Sequence, residues 1–184
     1  MRPLPSSAAY ARWLAVVRIL TGCIWLSHGI PKFTQSAQFM PPNGFAADFV
    51  ARGVQTSTGA YHTFLTGVVQ PNLPLFAELV RLGEVLVGIS LVLGAFSRLG
   101  GLVGVVLTLN YIAARGNMLS SATLQSLDFA TMVLSLTCLI LPAGRALGVD
   151  ALFTRRRPLP APATVRAEFV PEPPLTGPSA PPNP

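Results

Sequence analysis

Four runs of apolar residues dominate this chain of 184 residues. They cover 13–30, 73–96, 99–114 and 124–141. Each approaches the length of about 20 residues that crosses a bilayer. Between them there is little polar surface: 51% of residues are hydrophobic and 11% are charged. A soluble domain of this size could not hide so much apolar area, so the pattern predicts a membrane protein. The formal charge of +6 does not point to nucleic acid, because the basic residues form no polar face interleaved with aromatics. Cys23 and Cys138 lie inside apolar runs without metal-ligand or CxxC spacing and read as small buried hydrophobes.

The runs divide the chain into a short N-terminus (1–12), a membrane domain (13–153) and a tail (154–184). The first run contains Arg18 and has no convincing cleavage site after it, so it is expected to remain as an anchor. Pro71, Asn72 and Pro74 match a helix start with an Asn cap and a proline in the first turn. Only Ser97 and Arg98 interrupt the second and third runs, which predicts a tight helical hairpin. With both termini on one side, that side carries Arg2, Arg12, Arg98, Arg145, Arg155, Arg156, Arg157 and Arg166, against Lys32, Arg52 and Arg115 on the other. This asymmetry places both termini in the cytoplasm and the loop 33–72 outside. Within that loop "TSTGAYHTFLTGVV" is apolar enough to lie as a helix on the membrane surface. Ten of the 18 prolines fall in residues 158–184, so the tail is expected to be disordered. The fold expected is all-α: a four-helix antiparallel transmembrane bundle with an outer loop helix and a proline-rich tail.

Ionisable residues inside such spans carry the functional information. A charge at the bilayer centre costs at least about 2.5 kcal/mol, so it usually faces other helices and finds a partner. Arg18, Glu78, Arg81 and Glu84 lie within the runs, with His28, Lys32, Asn110, Arg115 and Asp128 near their outer ends. At about 1.5 Å of rise per residue, Arg18 lies about 8 Å from the cytoplasmic end, and Glu84, Asn110, Arg81 and His28 at about 17–22 Å. Arg18 is then expected either to snorkel to the cytoplasm or to bond between helices. Ala77, Arg81, Glu84, Gly88 and Ala95 share one helical sector. Arg81 and Glu84 are expected to pair, Gly88 to permit close approach, and Gly100 with Gly104 to form a GxxxG contact.

Two readings of these charges stand side by side. In one they form a buried network that fixes helix register. In the other, Arg81, Lys32 and Arg115 bind a small anion in a pocket opening outward, while Glu84 and His28 handle protons. Arg18, Glu78, Asn110 and Asp128 then complete a polar network.

The same residues carry a family resemblance. "RILTGCIWLSHGIPKF" resembles the first helix of the DoxX family. "FLTGVVQPNLPLFAELVRLGEVLVGISLVLGAFSRLGG" is more specific and resembles the DoxD-like branch, the small subunit of thiosulfate:quinone oxidoreductase. "LNYIAARGN" and "PAGRALGVDALF" extend the similarity to about residue 153. The resemblance implies a four-helix membrane bundle and carries over Arg18, His28, Gly29, Lys32, Glu84, Gly88, Gly94, Arg145 and Asp150. It also implies oxidation of thiosulfate to tetrathionate with a membrane quinone as acceptor, in the plasma membrane of a prokaryote. The sequence has no haem ligand pair, cluster motif or dithiol to store electrons, and no metal site is expected.

The partners implied are the lipid bilayer, a second redox subunit and a cytoplasmic partner for the proline-rich tail, with a homo-oligomer also open. Beside the quinone-linked redox subunit, the residues leave open a non-catalytic membrane scaffold and a carrier of small solutes or protons.

Overall fold

The computed structural model describes residues 7–116, 120–141 and 148–150. The proline-rich tail, Arg145 and the arginines at 155–157 lie outside the described residues. Among the described residues the chain is helical and contains no strand. The order is α1 (Ser7–Thr34), α2 (Ser36–Phe39), α3 (Phe45–Thr56), α4 (Gly59–Phe64), a π-helical turn (Leu65–Val69), a 3-10 turn (Gln70–Asn72), α5 (Leu73–Leu93), α6 (Ser97–Ala114), α7 (Ser121–Leu124) and α8 (Leu127–Ile140).

Two helices are long and apolar enough to cross a membrane: Ala9–Thr34, within α1, and Ser97–Ala114, which is α6. α5 has the length but carries Glu78, Arg81 and Glu84. α8, at 14 residues, is shorter. Their outward surfaces are apolar. Leu20 on α1, Leu86 on α5, Leu102 on α6 and Ile140 on α8 are all exposed, an unpartnered apolar surface of the kind that marks contact with lipid or protein.

Small residues set how closely the long helices approach. α1 packs on α5, α5 on α6, α6 on α8, and α1 also touches α8. A Cβ on Gly22 would meet Gly88 O at 2.8 Å, so α1 and α5 cross almost backbone to backbone. The α6–α8 contact is equally close, since a Cβ on Gly101 would meet Ser135 O at 2.8 Å. The GxxxG expectation is thereby amended: Gly104 faces Ser135 of α8, whereas Gly100 faces Ser90 of α5. The pair facing α8 is Gly101 with Gly104. Trp25 fills the centre of the resulting core, its ring packed with Val87, Leu91 and Cys138 and its Nε1 donating to Ser135 Oγ at 3.1 Å.

Helix ends depart from the sequence reading for identifiable reasons. Asn72 is the residue preceding α5, but its side chain makes no capping bond and its Nδ2 donates back to Val68 O at 2.9 Å. The α5–α6 turn is Gly94–Ala95–Phe96, and Ser97 with Arg98 already belongs to α6. Gly94 ends α5 in the left-handed region, with φ of 68°. Phe96 is also left-handed, with φ of 54°, and a carboxylate offsets that strain. Asp150 Oδ1 accepts from Phe96 N at 2.8 Å, and Oδ2 accepts from Ser97 N at 3.1 Å and from Ser97 Oγ at 2.9 Å. The anion thus caps the α6 N-terminus from a segment distant in sequence. The last apolar run is split after Leu124, where α7 ends at Gln125 and Ser126 caps α8.

The segment 33–72, expected as a loop, is the largest departure. Nearly all of 36–72 is helical, including α3, which the sequence reading did not anticipate. The stretch from Gly59 onward is helical as expected, but Leu65 and Val69 are buried against the rest of the protein.

Candidate functional site: a charge-balanced apolar cavity

α3 and α4 pack across the ends of the long helices and enclose a cavity of about 780 Å³. Its walls are mostly aromatic and aliphatic. Phe49 of α3 meets Tyr111 of α6 edge to face at 5.8 Å, and Phe64 of α4 meets Phe76 of α5 at 6.2 Å. Leu79 and Val106, 54% and 56% exposed, also line it, so the space reaches the exposed apolar surface of α5 and α6.

The polar heart of the cavity is Glu84. Its place on the α1 side follows from Gly29, where a Cβ would meet Val85 N at 3.0 Å and Glu84 Cβ at 3.1 Å. One turn further along α1, Lys32 Nζ reaches Glu84 Oε1 at 2.5 Å. Tyr111 of α6 donates its hydroxyl to the same oxygen at 2.6 Å. Phe39 and Tyr111 flank the ammonium, with ring centres 5.1 and 5.7 Å away, a placement that favours the cation. Glu84 is only 1% exposed, yet Oε2 has no hydrogen-bond partner among the described residues. A buried acceptor left in this state costs about 1–3 kcal/mol.

A second polar pair lines the same space. Tyr61 of α4 donates to Asn110 Oδ1 at 2.7 Å, with Asn110 O at 3.0 Å. Burial pushes the Tyr61 phenol above its ordinary pKa, so it remains a donor. At the rim, Arg115 pairs with Asp128 at 2.6 Å. The two lining cations, Lys32 and Arg115, are therefore each matched by a lining carboxylate.

Of the residues singled out from sequence, Glu84, Lys32, His28, Asn110, Arg115 and Asp128 line the cavity. Arg81 does not line it, and the expected Arg81–Glu84 pair is not formed. Arg81 instead makes a fork to Glu78, donates to Ser36 Oγ at 3.1 Å and covers the Phe33 ring at 4.5 Å. Glu84 is met instead by Lys32 from α1. Glu78 goes with Arg81, outside the lining. Arg18 is fully buried beside Gly94, close to Asp150 and Cys138, so of its two expected placements the one between helices is realised.

Tyr111 and Tyr61 were not anticipated. The signal for Tyr111 was present, since it follows Asn110 in "LNYIAARGN" and lies four residues from Leu107 on one helical face. Tyr61 had none, because its role depends on α4 crossing onto α6.

Residues 13–159 match the family described as "TQO small subunit DoxD". No curated protein and no solved structure matches the chain.

Proposed function

Because this chain belongs to the DoxD family, we propose that it is the membrane subunit of a thiosulfate:quinone oxidoreductase and that its cavity holds the quinone. In this reading α1, α5, α6 and α8 span the plasma membrane of a prokaryote as an antiparallel bundle. Both termini are cytoplasmic, and α3 and α4 form the outer cap. The arginine asymmetry of the loops and the apolar outer faces of the four helices support that arrangement. A small subunit implies a larger one, and the sulfur anion is assigned to the assembly formed with it.

One observation carries the quinone assignment: a buried carboxylate with one oxygen unpartnered among the described residues, on the wall of an apolar, charge-balanced cavity that reaches the exposed apolar surface of α5 and α6. A doubly charged anion would need uncompensated cations, and Lys32 and Arg115 are both paired. A neutral ring with a polar oxygen and an apolar tail suits the same walls better, and such a molecule would arrive from the bilayer.

Overall, two thiosulfates join through a sulfur–sulfur bond and release two electrons, which a quinone takes up together with two protons. This chain's residues manage the protons. Lys32 and Tyr111 hold Glu84 Oε1 and leave Oε2 as the unpartnered oxygen that would meet the ring. As the ring oxygen gains charge, Glu84 relays a proton to it through Oε2 and returns to its pairing with Lys32, and His28, half-buried on the cavity wall, is the group assigned to bring that proton from the outer aqueous side.

The test is thiosulfate-dependent quinone reduction in native membranes carrying Glu84→Gln at matched protein levels. The expected result is a fall of about 100-fold or more, within the range of lost general-acid catalysis. A variant as active as the wild type would overturn the reading.

A further inference from the structure

Asn110 holds its neighbours with only half of its amide. Oδ1 accepts from Tyr61, whereas Nδ2 makes no hydrogen bond among the described residues although the side chain lines the cavity. An amide carries two donors as well as an acceptor. As the amide stands, the Tyr61 phenol donates to Oδ1, which turns the NH₂ away from it. Tyr111 follows Asn110 directly on α6, and its hydroxyl is the one bound to Glu84. The two polar stations therefore lie about 100° apart on one helix turn and face a common apolar space.

We propose that Asn110 determines ligand specificity, donating from Nδ2 to the second oxygen of a ring whose first oxygen meets Glu84. The cavity would thereby select para-dicarbonyl rings over rings with a single carbonyl. This inference rests on the quinone reading of the cavity. Tyr61 is the positioning residue, since its hydroxyl fixes the orientation of the amide. The selection works through an unmet partner: a single-carbonyl ring leaves Nδ2 unpaired inside an apolar wall, and a site built to hydrogen-bond rejects the analogue that cannot.

The experiment measures binding of menadione, a naphthoquinone with two carbonyls, and of tetralone, its counterpart with one, to the purified chain in lipid nanodiscs. The wild type is expected to prefer menadione by about tenfold, the size of one net hydrogen bond in an apolar site. Asn110→Leu should bind menadione about tenfold more weakly and tetralone almost unchanged, abolishing the preference. Asn110→Asp keeps the shape but replaces the donor with an acceptor, and it should lose the preference as well. It serves where Asn110→Leu unfolds. Tyr61→Phe should reduce the preference only in part, since the freed amide can flip.

Wild-type protein that binds menadione without preference, or Asn110 variants that keep it, would overturn the role of Asn110 and leave the quinone reading standing. Folded wild-type protein that binds neither ring would overturn both.

Discussion

Lys32 and Glu84, 52 residues apart in the chain, form an ion pair of 2.5 Å across the α1–α5 contact, with the carboxylate buried and the ammonium 19% exposed. Removing one partner from such a pair is far more damaging than removing both, because a lone charge is left without compensation in an apolar wall. Lys32→Met is therefore expected to destabilise the protein by about 3–5 kcal/mol. The double variant Lys32→Met with Glu84→Leu should recover most of that stability while remaining inactive. Unfolding in detergent of the wild type, both single variants and the double variant measures the coupling. Strictly additive losses would show that the two side chains do not interact.

Arg81 is predicted to matter little to ligand binding. Its guanidinium is shared among Glu78, Ser36 and the face of Phe33, outside the cavity. The Glu78 carboxylate is partly exposed, and partly exposed ion pairs of this kind contribute about 0–1 kcal/mol. Arg81→Ala should bind menadione within about twofold of the wild type and lose no more than that stability. A tenfold loss of binding with an unchanged melting profile would return Arg81 to the site.

These two residues illustrate how far the sequence could be read. Charges in apolar runs must face the interior, so Glu84 and Lys32 were legible as site residues from position alone. Partner choice was not. Arg81 lies three residues from both Glu78 and Glu84, and a helical wheel ranks the two contacts equally; in the fold Arg81 turns to Glu78, while Lys32 reaches Glu84 from α1. The cap of the cavity was the least legible part. α3 carries Phe45 and Phe49 on a short, moderately polar stretch, which reads as loop until α6 is present to pack against it. The split of the last apolar run was written in Gln125 and Ser126, the latter an N-capping residue, but the apolar residues on either side masked it.

Asp150 is predicted to stabilise the α5–α6 hairpin. It satisfies two backbone donors and one hydroxyl at the α6 N-terminus, and it holds Phe96 in a left-handed conformation unfavourable to a side chain. Asp150→Ala should cost about 1–2 kcal/mol, as loss of an N-cap does. Asp150→Asn, which keeps one acceptor, should cost less. Thermal unfolding of the two variants checks the order, and equal losses would mean that charge alone, acting on the helix end or on nearby Arg18, is what stabilises.

Gly29 is predicted to couple packing to the site more strongly than Gly22, although both lie on the α1 face against α5. A Cβ on Gly22 would press on Gly88 O and Val92, about one and two helical turns beyond Glu84. A Cβ on Gly29 would press on Val85 and on Glu84 itself, one turn before Lys32. Backbone atoms cannot rotate away, so either alanine must push α1 from α5, at about 1–3 kcal/mol for overpacking. Gly29→Ala should in addition lengthen the Lys32–Glu84 contact and expose the buried carboxylate to water. The expected outcome is similar destabilisation for both alanines, with quinone binding lost about tenfold or more only in Gly29→Ala. Parallel melting and menadione titration of the two variants measures this. Equal effects on binding would mean that the α1–α5 distance acts as a whole rather than through the Glu84 turn.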